Sequence, residues 1–215
     1  SEGNLNFMLQ RTTAQLDRLM EQTPEPERVF HYLPFCFAAS WILLLSCLSR
    51  DSLLSLSMDL NRLADEMRVA EPHYFLNVPV LLERIRAKIE GQLDEHGRLI
   101  ASVFRSAQRA WARRHEEGAK RRADLSDKLS SRLAQAVIFP TIRRKLGPNL
   151  KALICGSAPL ARETQLFYMM LGLPVLQVYG LTETTGPCTM DEAGHIRPGF
   201  VGQAIDGIDM KLGEQ

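Results

Sequence analysis

The sequence predicts an α/β fold with a mostly parallel sheet and covering helices. Short β-branched and apolar runs alternate with helical segments three times in the first 90 residues. A strand, a small-residue loop, a helix and a second strand then follow between residues 151 and 179. The composition, 45% hydrophobic and 24% charged over 215 residues, is typical of a globular protein with a buried core.

The α/β part spans residues 1–90. Its first segment carries apolar residues at helical spacing, and Pro24 and Pro26 end that helix. The next apolar stretch breaks at Pro34 into a strand and a helix. In chain order we predict a helix at 3–22, a strand at 29–33, a helix at 38–48, a strand at 53–56, a helix at 60–67 and a strand at 73–78.

A helical excursion at residues 91–147 interrupts this alternation. Apolar positions recur at helical spacing over 80–147, with predicted breaks at 91–97 and near Gly118. The excursion contains a locally basic stretch, for which a solvated helix end is the simpler interpretation. The other interpretation is peripheral contact with an anionic membrane. The basic residues are Arg105, Arg109, Arg113, Arg114, Lys120, Arg121 and Arg122.

Residues 148–186 form a β-loop-α-β unit. We predict a strand at 151–155 that ends in the small residues of 156–159, a helix at 162–171 and a strand at 175–179. Such crossovers are right-handed and place the two strands side by side in parallel. The loops after the strands therefore emerge at one edge of the sheet, where open α/β sheets bind ligands.

The second of these loops combines hydroxyls with a carboxylate. Gly180 ends the strand, and Thr182, Thr184 and Thr185 flank Glu183. Such a loop suits a phosphate held together with Mg²⁺, because Mg²⁺ takes oxygen ligands and shares them with phosphate. An N-capped helix start explains the same residues equally well. The remaining residues, 187–215, form a Gly/Pro-rich β tail with predicted strands at 199–201 and 208–212.

Composition excludes several classes of function. A formal net charge of +1 provides no global attraction for nucleic acid. Four scattered cysteines and five dispersed histidines match no disulfide frame or metal motif and favour a cytoplasmic protein. The uncharged stretch at 29–49 has the apolar character of a membrane-spanning segment, but Pro34 and two serines argue against that interpretation. The first residues have no basic region followed by an apolar core, so no signal peptide is predicted.

Three motifs in order resemble the adenylate-forming superfamily, and most closely its long-chain fatty acyl-CoA synthetases. They are GSAPL at 156–160, YGLTETTG at 179–186 and RPGFVGQAIDG at 197–207. The resemblance places the chain in the large domain of such an enzyme. It implies that ATP activates a fatty acid to an acyl adenylate, which then passes its acyl group to coenzyme A. Fatty acid, ATP and coenzyme A are thus the implied partners, with Mg²⁺ as cofactor.

The resemblance also assigns roles to individual residues. It makes Thr182 and Glu183 the catalytic pair, Thr182 contacting phosphate and Glu183 binding magnesium. It implies that Trp41 gates an acyl tunnel, beside the alternative of an ordinary core tryptophan. Phe37 stands where the family commonly carries histidine. The implied nucleotide-binding residues are Gly156, Ser157, Ala158, Gln177, Val178, Tyr179, Gly180, Leu181 and Thr182, with Tyr179 as the ring that stacks near the base.

The resemblance covers only the middle of such an enzyme, because no phosphate loop, ribose-binding aspartate motif or carboxy-terminal domain occurs in these residues. We therefore expect a fragment that catalyses neither step alone, located in the cytoplasm or peripherally at the inner face of the membrane. Three other interpretations stay open. Within the superfamily, the alternative is a fatty acyl-AMP ligase or other carboxylate-activating relative. Outside it, the alternatives are a non-catalytic interaction domain and a membrane-anchored protein that spans at residues 29–49.

Overall fold

A computed structural model of the chain describes residues 1–21, 26–114, 125–211 and 213. The strands are β1 (Glu27–His31), β2 (Ser52–Leu56), β3 (Tyr74–Asn77), β4 (Ala152–Cys155), β5 (Val175–Leu181), β6 (Gly186–Met190) and β7 (Gln203–Ala204). The helices are α1 (Glu2–Met20), α2 (Ala38–Leu48), α3 (Leu63–Ala70), α4 (Pro79–Glu95), α5 (Arg98–Arg114), α6 (Leu125–Leu133), α7 (Phe139–Leu146) and α8 (Arg162–Met170). A π-helical segment, Ala134–Ile138, joins α6 to α7.

Within the described residues the strands form one sheet in the order β2-β1-β3-β4-β5-β6-β7. The first five strands in this order are parallel, whereas β5, β6 and β7 pair antiparallel. The predicted mostly parallel sheet with covering helices is therefore confirmed. The parallel pairing of β4 with β5 is the crossover that the β-loop-α-β unit predicted.

Apolar layers cover both faces of the parallel strands, because successive side chains of a strand point to opposite faces. In β4, Leu153 and Cys155 join the core under α4, α5, α7 and α8, while Ala152 and Ile154 join the core under α1 and α2. Both cores are well buried, so the site at the sheet edge rests on a rigid support.

The first break in the helical excursion lies within the predicted interval 91–97 but only at its end. Helix α4 runs through Gly91 to Glu95, so the start of the predicted break, and the boundary drawn there, fall inside a helix. An added Cβ at Gly91 would meet nothing within 4 Å, and a glycine in that setting weakens a helix without ending it. The break lies at His96 and Gly97, where Gly97 has a φ of +117°. The predicted break near Gly118 lies outside the described residues.

The predicted strands at 199–201 and 208–212 are wrong for the residues that the structure describes. Gly199 and Phe200 belong to a turn and bend, and Val201 and residues 208–211 have no regular structure. The strands of this region are β6, which was not predicted, and the short β7. Strand β6 exists because the chain reverses after Leu181 and pairs with β5, a contact that period-2 patterning of residues 186–190 does not reveal.

The stretch considered as a membrane span divides between β1, in the sheet interior, and the 11-residue helix α2. In the described ranges, no helix has both the length and the hydropathy needed to cross a bilayer.

Candidate functional site

Two loops meet at the carboxyl edge of β4 and β5, as the sequence predicted. Residues 156–161 follow β4, and residues 182–185 follow β5, whose residues pair with β4 in parallel register. The strand does not stop at Gly180, however, but continues to Leu181 and returns as β6. Residues 182–185 are thus the turn of a β-hairpin, and the alternative of a helix N-terminus is wrong.

Two glycines are required by strand packing at this edge. A Cβ on Gly156 would lie 2.6 Å from Val178 Cγ2 and 3.0 Å from the Val178 carbonyl oxygen. A Cβ on Gly180 would lie 2.1 Å from the Gly186 carbonyl oxygen and 2.7 Å from Pro187 Cα. The missing side chain at Gly156 lets the first loop approach β5, and the one at Gly180 lets the hairpin close.

Backbone strain is concentrated in the same two loops. Among the described non-glycine residues, positive φ occurs at Ser157 (71°), Thr185 (68°) and Glu71 (42°). Two of these three residues lie in the loops that form the site. Left-handed backbone at residues with a Cβ is unfavourable and is often found where a binding site requires it.

A cavity of about 320 Å³ opens beside these loops. The volume falls in the range of small-molecule sites, and the lining is mainly apolar. On the strand side it is lined by Leu76, Ile154, Gly156, Ser157, Val178, Gly180, Leu181, Thr182, Glu183, Gly186, Pro187 and Met190. On the helix side, α1, α2 and the residue before α2 contribute Thr12, Leu16, Phe37, Ala38, Ala39, Ile42 and Leu43.

Most of the predicted nucleotide residues line this cavity, but Ala158, Gln177 and Tyr179 do not. Gln177 and Tyr179 point away from it because they alternate with Val178 and Gly180 along β5. Gln177 is buried on the opposite face, and Tyr179 is 43% exposed there. The site therefore has two sides: an apolar cavity bounded by α1 and α2, and an open face that carries the Tyr179 ring.

Trp41 lies outside the lining. Its side chain is 52% exposed, and its ring meets the Phe35 ring edge-on with centroids 5.8 Å apart. It is therefore not an ordinary core tryptophan, and gating of an acyl tunnel stays a prediction. The α2 residues that do line the cavity are Ala38, Ala39, Ile42 and Leu43.

The side-chain oxygens of the hairpin turn differ in their surroundings: one is bonded within the turn, and others face the cavity. Thr184 Oγ1 accepts from Leu181 N at 2.9 Å and lies 2.8 Å from the Gly186 carbonyl oxygen, so it stabilises the turn. Thr182 and Glu183 are exposed and line the cavity. Among the described residues, none forms a hydrogen bond or ion pair with the Glu183 carboxylate. One free carboxylate beside a hydroxyl fits Mg²⁺, which binds through one or two carboxylates together with substrate phosphates.

The charge at the site is sparse. Of the described residues that line the cavity, Glu183 is the only ionisable one. No group of three or more His, Cys, Asp or Glu residues that could hold a metal occurs in the described part of the chain. Burial, and secondarily Glu83, raises the pKa of the Cys155 thiol to about 12. This thiol next to the first loop therefore stays protonated, which argues against a thiolate nucleophile.

Two features of the site were not predicted from the sequence. One is the helix side of the cavity, whose residues repeat with the spacing of an ordinary core face. The other is a buried polar cluster of Gln165, Gln177 and Asp191 behind β5. The sequence offers only a weak signal for this cluster, which is Gln177 within the apolar run VLQVY and Gln165 directly before the apolar run LFYMM.

The fold and the cavity define an α/β domain with a cavity of small-molecule size where two loops meet at the end of parallel strands. The model of the AMP-binding enzyme family matches residues 3–215. The chain belongs to this family, which confirms the resemblance to adenylate-forming enzymes.

Curated relatives are similar at low identity. The chain is 25% identical to the long-chain-fatty-acid–CoA ligase ACSBG2 of Rattus norvegicus over 150 residues, which are 69% of this chain and 22% of that protein. It is 27% identical to long chain acyl-CoA synthetase 3 of Arabidopsis thaliana over 156 residues, which are 72% of this chain and 23% of that protein. The chain thus spans about a fifth of the length of these curated relatives.

Solved structures agree on the fold. The N-terminal domain of FACL13 from Mycobacterium tuberculosis superposes with a TM-score of 0.55 at 15% identity, over 93% of this chain and 38% of that one. O-succinylbenzoate coenzyme A synthetase (MenE) from Bacillus subtilis, solved in complex with ATP and magnesium ion, superposes with a TM-score of 0.51 at 15% identity. That match covers 95% of this chain and 31% of the synthetase.

Proposed function

We propose that the chain is a central part of the large domain of a long-chain fatty acid CoA ligase that forms AMP. The observation that carries this proposal is a single cavity with two kinds of lining. Apolar side chains of α1 and α2 form one side, and Thr182 and Glu183 belong to the other. A fatty acid needs both surroundings, because its hydrocarbon chain is stabilised by burial whereas its carboxylate must meet the phosphates of ATP.

The reaction has two steps. A carboxylate oxygen of the fatty acid attacks the α-phosphorus of ATP, and the bond to pyrophosphate breaks. The sulfur of coenzyme A then attacks the acyl carbonyl carbon of the adenylate, AMP leaves with the bonding electrons, and the thiol proton passes to solvent. Both steps need donors held in place before charge develops.

The residues of the two loops divide this work. The Thr182 hydroxyl donates to a phosphate oxygen, and Glu183 holds Mg²⁺, which when bound supplies positive charge against the triphosphate. Gly156, Ser157 and Ala158 form one wall beside the adenine. Residues 177–181 form the other, with the exposed Tyr179 ring as the stacking surface.

We expect the 215-residue chain to catalyse neither step by itself. Of the described residues that line the cavity, none is cationic, and the hydroxyls of Thr12, Ser157 and Thr182 with one carboxylate do not neutralise a triphosphate. We therefore propose the full activity for the full-length protein.

We further propose a cytoplasmic enzyme that contacts anionic membrane peripherally through the basic stretch of α5. Arg105 on this helix already pairs with Asp94. The predicted stretch continues through Lys120, Arg121 and Arg122, which lie outside the described residues. Co-sedimentation with phosphatidylserine vesicles in low salt, compared with phosphatidylcholine vesicles, tests this contact.

The function is tested by supplying ATP, Mg²⁺, coenzyme A and palmitate to the full-length protein and, in parallel, to this chain. We expect AMP, pyrophosphate and palmitoyl-CoA in equal amounts from the full-length protein and none from the chain. Glu183→Gln should lower the rate of adenylate formation by about 100-fold or more, because a carboxylate that holds the metal is lost. The matched control is Glu192→Gln, which removes a half-exposed carboxylate outside the cavity.

The outcomes separate the alternatives. Release of ADP, or no nucleotide turnover and no ATP binding by the full-length protein, contradicts the proposal and favours an interaction domain. Formation of palmitoyl-AMP that coenzyme A does not discharge, but a carrier-protein thiol does, identifies a fatty acyl-AMP ligase instead.

A further inference from the structure

A buried polar cluster lies behind β5, on the face away from the cavity. Its members are Gln165 of α8, Gln177 of β5 and Asp191, which directly follows β6. Their residues are 0%, 4% and 2% exposed. Burying two amides and a carboxylate is costly unless they are hydrogen-bonded, so their contacts are expected to be specific.

Asp191 holds β5 from behind. Its Oδ2 accepts from the backbone N–H of Gln177 at 2.9 Å and from Gln165 Nε2 at 3.4 Å. Its own backbone N–H donates to the Gln177 carbonyl oxygen at 2.9 Å. Asp191 is therefore bonded to both backbone groups of one β5 residue.

The two glutamines extend the cluster to the turn at residues 197–200. Gln165 Oε1 accepts from Gln177 Nε2 at 3.0 Å and from the Gly199 N–H at 2.9 Å. Gln177 Nε2 also donates to the Phe200 carbonyl oxygen at 2.9 Å, and Gln165 Nε2 donates to the Val175 carbonyl oxygen at 3.0 Å. The cluster thus ties together α8, β5, the end of β6 and the 197–200 turn.

This cluster lies next to the open face of the site. Gln177 and Tyr179 are two residues apart on one strand, so they share a face, and Tyr179 projects from that face directly after the cluster ends. The Phe200 ring, stacked under Arg197 at 4.0 Å, belongs to the turn that the cluster holds. The position of the Tyr179 ring relative to the turn therefore depends on these three side chains.

We propose that Asp191 and Gln165 are positioning residues for the nucleotide: they hold β5 and the 197–200 turn in the arrangement that the adenosine part of ATP requires. The proposal rests on the proposed function and deepens it. Neither side chain lines the cavity, so both act through Gln177 and the backbone rather than by touching the reacting atoms.

Protonation of the Asp191 carboxylate would change the hydrogen bonds of this buried cluster. Its Oδ1 is buried and has no hydrogen-bond partner among the described residues. Burial raises the pKa of this carboxyl to about 6, against the lowering effect of the hydrogen bonds from Gln177 and Gln165. Protonation would place a new O–H donor in the cluster and weaken its acceptor strength toward Gln177 N–H.

The surrounding charged residues do not offset the effect of burial on the pKa of Asp191. The charged or titratable residues of α8 and of residues 192–200 are Arg162, Glu163, Tyr168, Glu192, His195 and Arg197. Strands β5 and β6 add Tyr179 and Cys188, and the partner of Glu192 on α1 is Arg18. Glu192 pairs with Arg18 at 3.7 Å and with His195 at 3.7 Å. Within the described ranges no cation forms an ion pair with Asp191, so the cluster holds its carboxylate with neutral donors alone.

The test uses two variants at Asp191 in the full-length protein. Asp191→Asn can place its carbonyl oxygen where Oδ2 lies, so it keeps both accepted hydrogen bonds, loses the charge and the titration, and puts an NH2 donor where Oδ1 lies. Asp191→Leu loses both hydrogen bonds. We expect Asp191→Leu to raise the KM for ATP about 10-fold or more while the KM for fatty acid changes little, because a displaced wall misplaces the nucleotide. Gln165→Leu should act in the same direction.

A pH profile separates positioning from simple loss of stability. In the wild type we expect the KM for ATP to rise as the pH falls from 7 to 5, and in Asp191→Asn this dependence should be absent. Glu192→Gln is the control for each measurement. Hydrogen exchange of the amides at 178–180 and 199–200, measured without nucleotide, should be faster in Asp191→Leu than in the control.

Several results would overturn the proposal. One is an ATP KM in folded Asp191→Leu equal to that of the wild type. Another is a pH profile that Asp191→Asn leaves unchanged, and a third is amide exchange no faster than in Glu192→Gln. A wild-type protein that binds no ATP instead overturns the proposed function, and the nucleotide role of the cluster with it. The two failures are distinguishable because the wild type is measured first.

Discussion

Glu27 and Asp191 are both buried carboxylates, but their partners differ in charge. Glu27 at the start of β1 meets the Arg50 guanidinium, with both side chains only 8% exposed, and Arg50 also contacts Asp17 of α1. Asp191 meets only amides and has one oxygen without a partner among the described residues. A carboxylate with a buried cation is suited to joining elements, whereas one kept in neutral surroundings is more typical of a functional site.

The comparison matters because both carboxylates support walls of the same site from opposite faces of the sheet. The Glu27 cluster fixes α1, which lines the cavity through Thr12 and Leu16. The Asp191 cluster fixes the open face that carries Tyr179. If this interpretation is right, disturbing the first cluster should mainly change stability, and disturbing the second should mainly change ligand binding and pH dependence.

The largest effect is expected from Arg50→Leu. This change leaves Glu27 buried without its cation, and we expect the free energy of unfolding to fall by about 3–5 kcal/mol. Denaturant unfolding monitored by circular dichroism measures the loss. The control is Arg68→Leu, which removes the exposed pair with Asp65 and should cost about 0.5 kcal/mol or less. Equal losses in the two variants would contradict a structural role for the buried cluster.

The second prediction concerns Asp191→Asn and pH. The folded pKa of Asp191, about 6, exceeds the ordinary value of 3.8, so the folded state binds more protons than the unfolded state between these values. Wild-type stability should therefore fall as the pH rises from 4 to 7, by about 2 kcal/mol from this group alone. Asp191→Asn lacks this dependence and should gain stability relative to the wild type over the same interval.

Other groups titrate in this interval, so the difference between the two proteins is the quantity to measure. Burial lowers the pKa values of His31 and His73, and their contribution to stability is lost as the pH falls below 6.5. Both proteins share this contribution, and it cancels in the difference. If the difference in unfolding free energy between the wild type and Asp191→Asn does not change between pH 4 and 7, the proposed distinction between Asp191 and Glu27 is wrong.

The third prediction tests whether the β5–β6 hairpin sets the environment of Asp191. In Gly180→Ala the new Cβ would lie 2.1 Å from the Gly186 carbonyl oxygen, so the strands must separate, and we expect a loss of about 1–3 kcal/mol. Because β6 places Asp191 opposite Gln177, the same change should move the pKa of Asp191 toward its ordinary value. Gly194→Ala is the control, since an added Cβ there meets nothing within 4 Å. An unchanged Asp191 titration in the Gly180 variant would show that the hairpin does not set this carboxyl's environment.

The smallest expected effect is a gain. Ser157→Gly removes a positive φ from a residue with a Cβ and should raise the free energy of unfolding by about 1 kcal/mol, while ATP binding weakens. Calorimetric binding and thermal unfolding of the same samples test both parts. Glu71→Gly relieves a positive φ far from the site and should leave ATP binding unchanged. If Ser157→Gly lowers the melting temperature, the strain does not belong to the first loop.

Local sequence predicted the parallel part of the fold because each of its strands is a short apolar run bounded by breakers. The strand before Gly156 and the loops at 156–159 and 182–185 were placed correctly for this reason. The register of the hairpin was not predicted, since Gly180 reads as a strand end when the partner strand is unknown. Helix α4 was cut too early at Gly91 for a related reason: a solvent-exposed glycine does not end a helix that is held by tertiary contacts.

The sequence by itself determined the fold class, the family and the two loops of the site, because these depend on local patterning and on motifs that are contiguous in the chain. Only the tertiary structure decided that α1 and α2 enclose an apolar cavity and that Trp41 lies outside it. It alone joined Gln165, Gln177 and Asp191 into one buried cluster. Such contacts join residues far apart in the chain, and burial, hydrogen-bond partners and pKa shifts arise only when those residues meet.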